Sequence, residues 1–488
     1  MFEPVIAPSA SLLGLLQRGR GDGQLHALAA DRAEALAALE ECVTRDPRSD
    51  WQVENRSLYY ARLYMELEAP LAGLEEHLHD PADIFDQDEC RTGLALAVLG
   101  HLAAYGRRDA LDLLRGYVAV GANWAWALDE LALRDDDRSL LSLAPAVLGR
   151  FPTDERGEAE LRAAIRAAYE PRPWRLWAAH HPRIAAASEQ SPFDLWQRQL
   201  NRSGVTPGWS TADVLAWADQ SDPGCGEPGA SDSGASEAGA VARRAAAAAR
   251  CLAAVVRPQD RETLLDAALG GAPGARVAAL RYLVDQRDTA AAALIEAAAA
   301  DIDERVVTAA LELLGRMRGA EILGHARRWA DLGTGGADSA LGEAAVQLLA
   351  DAGEPCDGPL VVDALRRWLS VRGVDGAGLG TLVDGAGRLA AVQAVPALRH
   401  IYGEAVSSEL RGRAARALAV TDSHFARGIA VECLWDCEEN TRELAARHVT
   451  TTGDVRVLER LRRLAADPAE EAEVHAAVRG RLTSRDRT

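Results

Sequence analysis

Residues Asp301 to Leu332, DIDERVVTAALELLGRMRGAEILGHARRWADL, set the reading of the whole chain. Val306, Ala309, Ala310, Leu313 and Leu314 stand at i, i+3, i+4, i+7 and i+8, which puts them on one stripe of an α-helix. Asp301, Asp303 and Glu304 precede that stripe, where carboxylates favour the unpaired N–H groups and the positive end of the helix dipole; Arg316 and Arg318 follow it. Gly315 and Gly319 bracket a short turn. A second apolar run through Ile322, Ala326 and Trp329 then makes the unit a helix, a turn and a helix. One such hairpin cannot bury both of its apolar stripes, so it needs neighbours.

The first-helix pattern recurs along the chain. Arg276 opens RVAALRYLVD, Arg305 opens RVVTAALELLG, Arg413 opens RAARALAV, Arg442 opens RELAARHV and Arg244 opens RAAAAARCLAA, with weaker copies near Ala340 and Ala377. Arg91 opens a further copy, RTGLALAVLGHL, in the N-terminal half. A recurrence of about 29 to 37 residues marks an α-solenoid, in which stability comes from nearest-neighbour stacking. On these residues the chain resembles the HEAT-repeat family, especially the bacterial form named after phycobilisome-lyase repeats. Arg305 with Leu314 and Gly315 matches its first helix, and AVPAL at Ala394 to Leu398 matches the opening of its second. The resemblance is strongest over 241–488. It implies an all-α fold, an α-α superhelix of stacked hairpins, in which Arg91, Arg244, Arg276, Arg305, Arg413 and Arg442 tie adjacent loops through acidic neighbours.

Composition narrows the chemistry. All 54 basic residues of the 488 are arginine, so neither a Schiff-base lysine nor a GxxxxGK[ST] phosphate loop is available. A formal charge of −19 disfavours nucleic acid and anionic membrane and favours a protein or peptide partner carrying positive charge. Seven cysteines without a CxxC pair read as reduced thiols in a cytoplasmic protein, and Cys433 with Cys437 as core residues rather than metal ligands. No window approaches the length of an apolar membrane span, the N-terminus lacks the positive charge of a signal peptide, and no cofactor motif stands out.

In chain order, residues 1–168 read as divergent helical repeats, opening with a short helix over 11–17, capped by Ser9 or Ser11, that would close the end of the array. The acidic run HDPADIFDQDEC from His79 lacks the glycine and terminal glutamate of a calcium loop and reads as a turn. Residues 169–219 form an irregular helical segment cut by prolines. Here lie Trp174, Trp177, Trp196, Trp209 and Trp217, five of the eleven tryptophans, beside His180 and His181. With Trp124 and Trp126 these make the candidate binding surface, although large rings also fill irregular space between repeats. Residues 220–240, rich in Gly, Ser, Pro and acids, read as a flexible linker or loop, and 241–488 as the C-terminal repeats.

The pattern predicts a non-catalytic scaffold that grips a protein on the concave face of the solenoid. Two other classes are in play. A small-ligand or enzymatic site could centre on the Trp-rich region. A helical-repeat DNA glycosylase would use Trp124, Trp126 and Asp129, or Trp217 and Asp219, a match of residue types without a fixed motif.

Overall fold

A computed structural model describes residues 5–48, 50, 52–81, 89–188, 209–219, 233–331, 339–376, 378–452 and 454–485. Over these residues the chain is α-helical with a few single turns of 3-10 helix and contains no strand. No helix among them is long and apolar enough to cross a membrane. Contacts divide the chain into two compact units, one of residues 1–198 together with 395–488, the other of residues 199–394.

In the second unit the expected hairpins are present. The helix Glu304–Leu314 buries Val306, Ala310, Leu313 and Leu314, and Asp303 caps it by accepting the N–H of Arg305 at 3.0 Å. Its partner Ala320–Asp331 buries Ile322, Ala326 and Trp329. Ser339 caps Ala340–Ala352 in the same way through the N–H of Gly342. Packing follows a fixed rule along the chain. Pro273–Asp285 rests on Arg261–Gly270 just before it and on Ser233–Val255 two helices back; Glu304–Leu314, Ala340–Ala352 and Leu379–Arg388 each repeat that arrangement on their own predecessors. Each of these helices therefore packs on the one before it and on the one two back.

The first unit joins the two ends of the sequence. Within it, Ser57–Glu66 buries Leu58, Tyr59, Tyr60, Ala61, Leu63 and Tyr64, and buries Arg62 among them. It packs on Glu89–Ala104, which in turn packs on Arg108–Val120 and Trp124–Arg134. From the other end of the sequence, Ser408–Thr421, Glu439–His448 and Ala472–Arg485 stack in succession.

What stitches the two together is buried arginine. Arg56, fully buried, donates to Glu54 Oε2 at 2.5 Å, to Val406 O at 2.9 Å and to Gln17 O. Glu54 also accepts the N–H and hydroxyl of Ser408 at 3.0 and 2.9 Å. Arg411 forks onto both oxygens of Asp436 at 3.0 and 3.1 Å and reaches Arg18 O at 2.6 Å. Arg62 and Arg442 share Glu470, at 2.8 and 2.7 Å. Each guanidinium has carboxylate or carbonyl partners, the condition under which burying charge is tolerated. Gly19, at φ 66°, lets the chain pass so close that a side chain there would meet the Cys437 sulfur at 2.5 Å.

Ser11 caps the first helix, Leu12–Gln17, through the N–H of Gly14 at 3.1 Å. Just beyond it, Arg18 donates to Glu404 O and Gly19 O accepts the N–H of Cys437, so the helix leads directly into contacts with the far end of the sequence. Of the presumed linker 220–240, residues 233–240 already belong to the helix Ser233–Val255, while 220–232 lie outside the described residues. Residues 82–88 of the acidic turn lie outside them as well. Cys433 and Cys437 are buried, and burial pushes the Cys433 thiol well above its ordinary range.

Candidate functional site

The tryptophans singled out from sequence divide between the units. In the first, Trp174 and Trp177 lie on Arg172–Ala178 with ring centroids 5.0 Å apart and edges to faces. Trp124 extends the stack, 6.3 Å from Trp174 and 5.9 Å from Phe151. Both helix residues are buried, and the Trp177 indole N–H donates to Leu140 O at 2.8 Å, so its one polar group is used internally. Trp126 is half-buried with its ring against Gly93. His180 is exposed and His181 half-buried, and their backbone N–H groups both end the helix on Trp177 O. In the second unit Trp209 and Trp217 form a separate pair 5.9 Å apart. Trp196 lies outside the described residues. Trp174 and Trp177 are therefore buried in packing, and the half-buried Trp124 rests edge-on against Trp174.

The carboxylates that would serve base-excision chemistry are likewise engaged. Asp129 accepts the N–H of Glu170 at 3.0 Å, and burial raises its pKa; Asp219 accepts the N–H of Gly274 at 3.2 Å.

The arginines expected to tie loops follow several patterns. Arg276 pairs with Asp301 in the next loop, and Arg442 takes Glu470 together with the carbonyls of Asp436 and Cys437. Arg305 pairs with Asp303 in its own loop, and Arg413 with Glu409 one turn back. Arg244 is half-buried and Arg91 exposed. A second set, not marked by the opening-arginine pattern, spans neighbouring hairpins more regularly. Arg115, Arg261, Arg327 and Arg399 reach Asp135, Asp288, Asp357 and Asp422. Arg150, Arg388 and Arg481 donate to the final carbonyls of an earlier helix, at Val118, Ala350 and Val449, satisfying acceptors a helix end leaves bare.

A recess in the second unit has the makings of a contact site. Ala340–Ala352, Gly358–Arg372 and Leu379–Arg388 enclose about 360 Å³. Val346, Ala364 and Leu382 line it with apolar surface, and Trp368 stands beside them. The Arg372 guanidinium lies 4.1 Å from the Trp368 ring centroid, within cation–π range, and pairs with Glu343 at 2.7 Å. Gly376 and Gly378, the latter at φ 94°, allow the following loop to lie against the indole, where a side chain on Gly376 would come within 2.7 Å of Nε1. Gln347 Nε2 fixes that loop through Gly378 O at 3.0 Å. Arg367 lies exposed at the rim, and its guanidinium makes no ion pair or hydrogen bond among the described residues. Val371, one turn on, is 81% exposed. Sequence reading passed over this place because its signal is short: a Trp and an Arg four apart, followed by GVDGAGLG, which reads only as an incomplete nucleotide loop.

With strands absent over the described residues and helices packed on their neighbours in sequence, the class is an all-α protein. No protein-family model matches the sequence, and no curated protein matches it. Among solved structures, the crystal structure of an engineered protein from the Northeast Structural Genomics Consortium aligns over 96% of this chain and 99% of its own at 15% identity. Its TM-score is 0.24, too low to carry an argument about fold or function.

Proposed function

We propose that the protein is a non-catalytic scaffold of HEAT-like hairpins, arranged as an α-solenoid, that binds another protein or a peptide segment in the cytoplasm. The observation that carries this reading is the packing rule of the second unit, where successive helices rest on the one before and the one two back. Repeat stacks of this kind make extended contact surfaces rather than enclosed reaction sites. Two further observations support it. The aromatic cluster of the first unit uses its rings for packing, and Asp129 and Asp219 are committed to backbone N–H groups, which weighs against the glycosylase reading. The net charge of −19 favours a partner that is positively charged overall, through long-range attraction.

The test is affinity capture from the producing cells combined with two measurements on the purified protein. A stoichiometric protein partner is expected, with no change in tryptophan fluorescence across a nucleotide and metabolite panel and no shift of a labelled DNA duplex at low salt. Quenching by a metabolite, or a salt-sensitive duplex shift, would replace the scaffold with a small-ligand or DNA-binding reading.

A further inference from the structure

We infer that the recess around Trp368 takes an extended peptide segment of the partner in which a large apolar side chain stands next to a carboxylate. The inference rests on the scaffold reading and adds the chemistry of what is bound. Inside the recess, Val346, Ala364, Leu382 and the Trp368 ring offer apolar contact, and about 360 Å³ accommodates one bulky side chain with the backbone beside it. At the rim stand two guanidiniums and one carboxylate. Glu343 is taken by Arg372, which leaves the Arg367 charge uncompensated. An uncompensated guanidinium beside an apolar hollow suits a carboxylate, which it can hold with two parallel hydrogen bonds. Aromatic and arginine side chains around a pocket are also the usual anchors of protein recognition.

The exposure of the rim favours a segment over an enclosed small molecule. The Arg372 side chain is 44% exposed and that of Glu343 35%, and Val371 continues the apolar surface outward along the same helix. A small ligand needs most of its surface covered, whereas a chain passing over the hollow needs one side chain buried and neighbours touching the rim. The overall acidity of the protein steers the partner as a whole; the rim selects the local residue.

The test is selection of a phage-displayed random peptide library on the intact protein. Peptides sharing an apolar residue adjacent to Asp or Glu are expected to be enriched, and a synthetic representative should bind in fluorescence polarisation. Arg367→Glu, a change at an exposed side chain that leaves the helix intact, should weaken that peptide about tenfold or more. Arg366→Glu, which is outside the recess lining, should not. Enriched peptides without an acid, or binding indifferent to Arg367→Glu, would overturn the inference while leaving the scaffold reading to its own test. Failure to enrich any peptide, together with quenching by a free carboxylic acid that is lost in Trp368→Phe, would overturn both.

Discussion

Arg411 and Arg460 are both buried, yet their surroundings predict opposite responses to the same truncation. Arg411 holds both oxygens of Asp436, so Arg411→Met leaves a buried carboxylate without its counter-charge and should cost roughly 3–5 kcal/mol. Arg460 donates to Leu434 O and lies 5.2 Å from the Trp435 ring centroid, but its Nη2 is buried without a partner. Burial, with Arg62 and Arg442 nearby, pushes its pKa down to about 9. Arg460→Met should therefore shift stability by no more than about 1 kcal/mol, and chemical denaturation of the two variants checks the contrast. The same cluster sets an acid limit. Burial, aided by Arg134 and Arg62, lowers the pKa of His101 to about 4, below its unfolded value of 6.5; its contribution is thus complete above 6.5 and lost as pH falls through 4. Burial alone would raise the carboxyl of Glu470, but Arg442 and Arg62 hold it down to about 2, so its contribution is lost between about 4.5 and 2. Burial raises the carboxyls of Glu130 and Glu432 to about 7, so they act with the opposite sign over the same range; the His101 share is read as a difference, and His101→Gln should gain melting temperature relative to wild type as pH falls from 6.5 to 4, with the decline below unchanged. Of these residues the sequence pattern marked only Arg442, and it did not show that Glu470 is its partner. The opening-arginine pattern marked Arg413, which pairs on the surface, and passed over Arg411 two residues earlier, because burial depends on which face the neighbouring segment covers.

At the level of single elements the sequence was far more informative. Asp303 and Ser11 cap the helices their positions predicted, since an N-cap needs only a short side-chain oxygen ahead of an apolar stripe. Composition misled over 233–240, where Gly, Ser and Ala read as linker but are carried into the long helix Ser233–Val255. Glycine gives the clearest element-scale prediction. Gly385 on Leu379–Arg388 faces Ala350 so closely that an added Cβ would lie 2.6 Å from its Cα, so Gly385→Ala must push two helices apart, at a cost of about 1–3 kcal/mol. Gly324 on Ala320–Asp331 has nothing within 4 Å of such a carbon, and Gly324→Ala should instead stabilise by about 0.5–1 kcal/mol. Thermal melts of the two variants, read against wild type, should move in opposite directions.

Over the whole molecule, what could not be foreseen is that residues from both ends of the chain build one unit. The bonds responsible, such as Arg18 Nε to Glu404 O across 386 positions, leave no local pattern, because either half alone reads as an ordinary run of hairpins. A chain ending at Ala394 should therefore lose amide-exchange protection in Ser57–Glu66, whose approach to 395–488 runs through Glu54, Arg56 and Arg62; retained protection would show that the N-terminal helices fold without those residues. The recess lay beyond sequence reading for a related cause: Glu343, Trp368 and Leu382 come together only once three helices have stacked. The claim that matters most is that this stack exists to hold another polypeptide. It is tested most directly by placing a photo-crosslinking residue at Val371, or at Leu269 as an exposed comparison in the same unit, and irradiating the producing cells. The account predicts a discrete protein adduct from position 371 and none of the same mass from 269. No polypeptide adduct at 371, or the same adducts from both positions, would contradict it.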